Sequence, residues 1–115
     1  MMKTRVLKFG GSSVASIEKI QALAQKIKKR KEEGYKLVIV VSAMGKSTNQ
    51  LIELAHQASK NPKKRELDML LSTGEQVSVS LMTMALDAIG VDAIGLTGQQ
   101  AGILTHGLHT KNKIE

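Results

Sequence analysis

Apolar and polar positions alternate between strand-like and helix-like periods along this chain. Val6-Leu7-Lys8-Phe9 reads as a short strand, and Gly10-Gly11-Ser12-Ser13 breaks it. Ile17, Ile20, Leu23, Ala24 and Ile27 then recur at three and four residues, the period of an amphipathic helix. Ser12, Ser13 or Ser16 can cap that helix. Glu33-Gly34 ends it, with Arg30 and several lysines near its carboxyl end, where the helix dipole favours positive charge. Leu37-Val38-Ile39-Val40-Val41 is continuous and mostly β-branched, the pattern of a parallel strand buried on both faces. A turn over Ser42 to Lys46 leads to a second helix, expected from about Thr48 to Ala58. Pro62, the only proline, lies in the loop that follows.

Helical character resumes near Glu66 and extends to Ile89, with Ser72-Thr73-Gly74 as a candidate break and Gly90 as a candidate cap. Beyond Glu75 this segment carries two apolar stripes: Val77, Leu81, Met84 and Ala88, and Val79, Met82, Leu86 and Ile89. A helix apolar on two sides is normally buried on two sides, so one stripe is expected to need a partner. Val91 to Thr97 reads as a third strand, ended by Gly98. The order β-α-β-α-α-β predicts an α/β fold, a parallel sheet with helices on its faces.

Composition narrows the function classes. At 115 residues, one compact domain is the ceiling. Phe9 and Tyr35 are the only aromatics, so the core must be aliphatic. Without cysteine there are no disulfides and no thiolate metal sites. No run of about 18 apolar residues exists, so no membrane span is expected. The start, Met1 to Arg5, does not resemble a signal peptide, and a cytoplasmic protein is expected. The formal net charge is +7, and ten of the 17 basic residues fall in Lys26–Lys36 and Lys60–Arg65. These read as a solvated helix end and a solvated loop. Stacking aromatics and known modules are missing, so nucleic acid is not an expected partner. His106 and His109 are spaced H-x-x-H without a nearby acidic cluster, so no metal site is assigned.

The chemistry concentrates where strands give way to helices. In open α/β sheets, ligands bind at the carboxyl ends of strands. Gly10 and Gly11 let the backbone approach closely and present N–H groups, and the following helix adds its positive dipole end. Lys8 supplies a fixed charge to the same anion. The pattern is neither G-x-x-x-x-G-K-[ST] nor G-x-G-x-x-G. Taken alone, a glycine pair is equally a plain turn. Glu75, taken alone, is equally a first-turn helix acid.

Four segments together resemble the aspartate kinases of the amino acid kinase superfamily. Lys8 to Val14 looks like the signature K-F-G-G-[ST]-S-V. Val40 to Thr48 resembles the family's second loop, Arg65 to Ser78 its third, and Thr97 to Ile103 a fourth, in family order. The resemblance implies a parallel-sheet three-layer sandwich of the amino acid kinase type, with residues 1–115 as the amino-terminal part of the catalytic domain. The nucleotide lobe and regulatory domains would lie outside this segment.

The implied reaction is ATP-dependent phosphorylation of the β-carboxylate of L-aspartate, a first step towards lysine, threonine and methionine. By the same resemblance Lys8 contacts the transferring phosphate, and Gly10, Gly11, Ser12 and Ser13 hold phosphate. Ser42, Thr48 and Glu75 hold aspartate. ATP comes with Mg2+, for which this segment supplies no direct ligand. The partners are L-aspartate and ATP, with a homo-oligomer expected, and the isolated segment is expected to be inactive. Asn49 stands where many relatives have aspartate and Gln99 where an aromatic is frequent, departures that bear on fine specificity. The alternatives are another member of the superfamily with a different acyl or carbamoyl acceptor, and a non-catalytic basic module binding a polyanion.

Overall fold

The computed structural model describes residues 3–96. Strand β1 (Thr4–Phe9) leads through a short 3-10 turn (Gly11–Val14) into helix α1 (Ile17–Glu32). Strand β2 (Lys36–Val41), helix α2 (Ser47–Ala58) and helix α3 (Lys64–Ala88) follow. The strands pair in parallel, with Thr4 opposite Lys36 and Phe9 opposite Val41. Their carboxyl ends therefore finish side by side, which fixes where the two glycine-containing loops emerge.

Local chemistry explains the helix ends. Of the three candidate serines, Ser16 is the cap of α1, its hydroxyl accepting from the Lys19 N–H at 3.2 Å. At the far end Gly34 adopts a φ of 97°, open to glycine at little cost, just after the basic last turn of Lys29, Arg30 and Lys31. Ile20, Ala24 and Ile27 form the buried stripe of α1, while Ile17 remains 44% exposed. That stripe packs with Val14, Val41, Met82, Leu86 and Val91 into one aliphatic core. Alternation sends Phe9, Leu37, Ile39 and Val41 towards this core. Val6, Lys8, Val38 and Val40 share the opposite face, where Val38 and Val40 are half-buried and Val6 is exposed. The expectation of a β2 buried on both faces is therefore met on one face among the described residues. They form a two-layer arrangement, in which α1 and α3 contact each other and β2.

Two expectations are corrected. The candidate break at Ser72-Thr73-Gly74 is continuous helix within α3. Ser72 and Thr73 donate their hydroxyls to the Met69 and Leu70 carbonyls, at 2.7 and 2.6 Å, so they are satisfied without leaving the helix. Gly74 is there for proximity: a Cβ at this position would lie 3.0 Å from the Ala43 Cβ and 3.5 Å from Leu51 Cδ1. Glu75 is consequently a mid-helix residue, and the first-turn reading of it falls. The third strand expected over Val91–Thr97 is also not formed over 91–96; Thr97 lies outside the described residues. Gly95 instead lies against α3, where an added Cβ would meet Thr83 Oγ1 at 2.8 Å and Val79 Cγ1 at 2.9 Å. Apolar β-branched composition makes a strand only where a sheet edge accepts its backbone hydrogen bonds.

Helix α3 resolves its two stripes unequally. Met82 and Leu86 are buried, and Val79 and Ile89 pack beside them. On the other stripe Val77 is 51% and Met84 64% exposed, and Ala88 is exposed; Leu81 alone is half-buried. Leu67 to Leu71 cannot cover this stripe by folding back, because they belong to the same continuous helix. Burying a fully exposed apolar side chain is worth roughly 1.5–3 kcal/mol. The 115-residue chain is therefore expected to self-associate at micromolar concentration. Sedimentation equilibrium checks this, and a clean monomer would refute it.

Candidate functional site

Three segments separated in sequence are held together at the carboxyl end of the sheet. Ser42 N–H donates to the Phe9 carbonyl at 3.0 Å, carrying the β1–β2 ladder one step past the strands. Gly45 N–H then donates to the Gly11 carbonyl at 3.0 Å, tying the second loop to the first. Gly45 has a φ of 45°, and a Cβ there would sit 3.2 Å from the Ala15 Cβ. The buried Ala43 is the hub. Its carbonyl lies 3.0 Å from where a Gly11 Cβ would stand, and its own Cβ lies against Gly74 of α3. Glycines at 11 and 74 allow these approaches, so the first loop, the second loop and the middle of α3 meet around one alanine.

The residues put forward by sequence lie on or next to the segments that meet here. Lys8 is exposed near the end of β1, opposite Val40, with no carboxylate within ion-pair distance among the described residues. Gly10 is extended (φ −78°, ψ 175°) and opens the 3-10 turn that contains Gly11, Ser12 and Ser13. Ser13 N–H turns inward to the Gly10 carbonyl at 3.1 Å. By contrast, the N–H groups of Gly10, Gly11 and Ser12 have no acceptor among the described residues. Three consecutive donors without an acceptor among the described residues, beside an exposed lysine, are a candidate surface for an anion.

Ser42 is exposed immediately after β2, and Thr48 is half-buried in the first turn of α2. That first turn carries no acidic residue, so the positive end of the α2 dipole is uncompensated locally. Glu75 follows Gly74 and is exposed. The junction thus offers free N–H groups and a lysine from one loop, two hydroxyls and a helix end from a second, and a carboxylate from a third segment. It can receive a ligand carrying both anionic groups and a cationic one.

Two features have little sequence signal. Ala43 looks like an ordinary loop alanine, and its position between two glycines follows from tertiary packing. Lys19 lies in the first turn of α1, and its ammonium donates to the Ser12 carbonyl at 3.0 Å. The sequence clue was its presence at a helix start, where the dipole disfavours positive charge. A shallow groove of about 410 Å³ between α1 and α3, lined by Gln21, Gln25, Ala85 and Ala88, contains none of the site residues and lacks charged groups. The loop junction, with its convergent polar groups, is the better candidate. The fourth motif segment, Thr97–Ile103, with Gln99, and His106 and His109 lie outside the described residues.

Comparisons with known proteins bear on the family and the fold. The sequence profile of the Amino acid kinase family matches residues 3–115. Aspartokinase 2 of Bacillus subtilis (strain 168) is 54% identical over 109 residues, which cover 95% of this chain and 27% of that protein. The aspartokinase of Geobacillus stearothermophilus is 53% identical over 109 residues, again 95% of this chain and 27% of that protein. The crystal structure of aspartate kinase from Synechocystis superposes with a TM-score of 0.78 at 58% identity, covering 79% of this chain and 16% of that one. The chain therefore spans about a quarter of the length of the curated relatives it matches.

Proposed function

The chain belongs to the amino acid kinase family and has its α/β fold, and from that premise we propose that it supplies the phosphate- and aspartate-binding part of an aspartate kinase. The observation that carries this reading is the junction at Ala43, where the loop after Lys8, the loop of Ser42 and the turn of α3 before Glu75 come together. Aspartate kinase relatives at about half identity over nearly the whole chain support the choice of acceptor. The protein is then a cytoplasmic biosynthetic enzyme, acting before lysine, threonine and methionine.

In this reading the β-carboxylate of L-aspartate attacks the γ-phosphorus of ATP. One carboxylate oxygen forms the new O–P bond. The bond from the γ-phosphorus to its bridging oxygen breaks, and that electron pair leaves with ADP. The attacking carboxylate is already ionised at about pH 7, so no strong general base is needed. Catalysis then rests on positioning and charge. Lys8 and the N–H groups of Gly10, Gly11 and Ser12 neutralise charge on the transferring phosphoryl group, and Ser13 holds the turn. Ser42 and Thr48 hold the aspartate carboxylate side, and Glu75 pairs with its ammonium. Mg2+ would arrive with the nucleotide and supply further charge neutralisation; among the described residues no cluster of three candidate ligands would hold it.

Acceptor choice tests the reading. The test exchanges the aligned 109 residues of this chain for their counterpart in aspartokinase 2 of Bacillus subtilis. The folded chimaera is expected to release ADP with L-aspartate and not with L-glutamate, N-acetylglutamate or carbamate. Equal or faster release with one of the other acceptors would assign the segment to a different member of the family. The 115-residue chain by itself is expected to show no aspartate-dependent ADP release, and robust release from the pure chain would contradict that.

A further inference from the structure

The Ser12–Ser13 peptide unit of the first loop is tied at both ends. Its N–H, on Ser13, donates to the Gly10 carbonyl at 3.1 Å, and its carbonyl, on Ser12, accepts from the Lys19 ammonium at 3.0 Å. The second tie spans seven residues and crosses from α1 back to the turn before it. It links the loop to an element anchored in the core through Ile20, Ala24 and Ile27. Lys19 has no acidic partner among the described residues, and it stands at the helix end where positive charge is disfavoured. A residue that departs from its local electrostatic preference while making a defined contact invites a functional explanation.

We propose that Lys19 is a positioning residue for phosphate binding: it holds the Ser12 carbonyl, and with it the turn whose Gly10, Gly11 and Ser12 N–H groups face the anion. Two effects combine. A free carbonyl oxygen in the loop would carry partial negative charge beside the phosphate, and the ammonium offsets that charge. Fixing the peptide plane also spares the loop an ordering cost when the anion arrives. The inference rests on the phosphate-binding reading of this loop and assigns it a support that its glycine pattern does not reveal.

The test is a titration of the chimaera, in which the native chain sits in a complete catalytic domain, with inorganic tripolyphosphate, followed by the amide NMR shifts of Gly10, Gly11 and Ser12. Lys19→Met is expected to weaken binding about tenfold, the scale of one charge-assisted hydrogen bond. Lys19→Arg keeps the charge and a donor, and is expected to bind within about twofold of the native chain. Lys29→Met removes the same charge at the other end of α1 and is expected to change affinity by less than about twofold. If the native chain shows no response at these amides, the phosphate-binding reading fails and this inference with it. If it responds, and Lys8→Ala weakens binding while Lys19→Met does not, the role of Lys19 alone is overturned. An equal loss in Lys29→Met overturns it too, since net charge would then suffice. Should Lys19→Met lose its amide dispersion, Lys19→Arg decides: near-native affinity supports the role, and a tenfold loss overturns it.

Discussion

Replacing Lys8 by alanine in the chimaera is expected to lower aspartate-dependent kcat by about two to three orders of magnitude, the usual cost of removing one preorganised group from developing charge. The geometry separates this loss from a folding defect. Lys8 lies on the sheet face opposite Phe9 and the described core, so truncating it opens no cavity in that core. No carboxylate of the described residues pairs with it, so none within this segment is orphaned. A surface change of this kind shifts stability by no more than about 0.5 kcal/mol. Steady-state rates read beside a thermal melt make the comparison. A kcat within about threefold of the unsubstituted chimaera would remove Lys8 from the phosphoryl-transfer machinery.

Glu75→Ala is expected to act on the other substrate. Loss of one charge-assisted pairing with the aspartate ammonium corresponds to a rise in aspartate KM of about ten- to a hundredfold. The KM for ATP is expected to move by less than about threefold, because Glu75 comes from α3 and the N–H groups proposed to face phosphate come from the first loop. Glu75→Gln keeps the shape, removes the charge, and should follow alanine in direction. Should Lys8→Ala and Glu75→Ala show the same ATP and aspartate profiles, the division of the junction into a phosphate side and an aspartate side is wrong.

The helices were legible because their signals are local. The three- and four-residue spacing of Ile20, Leu23, Ala24 and Ile27 is a property of α1 itself, as is the cap at Ser16. Strand β2 was legible from Leu37 to Val41 for the same reason. What failed depends on neighbours. Ser72, Thr73 and Gly74 carry the composition of a break, yet they continue a helix because two hydroxyls bond back and Ala43 needs the space that glycine leaves. Residues 91–96 have strand-like composition, yet Gly95 packs on α3.

The candidate site shows the same division. Its chemical groups stand in the sequence at Lys8, Gly10, Gly11, Ser42, Thr48 and Glu75, and the motif order points to them as a set. That their segments meet at Ala43 is a tertiary fact, set by the Gly45–Gly11 hydrogen bond and by the closeness of Gly74. The Lys19 contact was hidden because a lysine at that helix position reads as a solvated side chain.

The central claim is that these loops direct a phosphoryl group onto the β-carboxylate of aspartate. Oxygen labelling in the chimaera tests that claim most directly. L-Aspartate is supplied with 18O in both oxygens of its β-carboxylate, together with unlabelled ATP, and the acyl phosphate is trapped with hydroxylamine. Hydroxylamine attacks the acyl carbon, so the bridging oxygen leaves with the released phosphate. The account predicts one 18O atom in that phosphate, and none when the label is placed in the α-carboxylate. Label arriving from the α-carboxylate, or no aspartate-dependent phosphate from a folded chimaera, would contradict it.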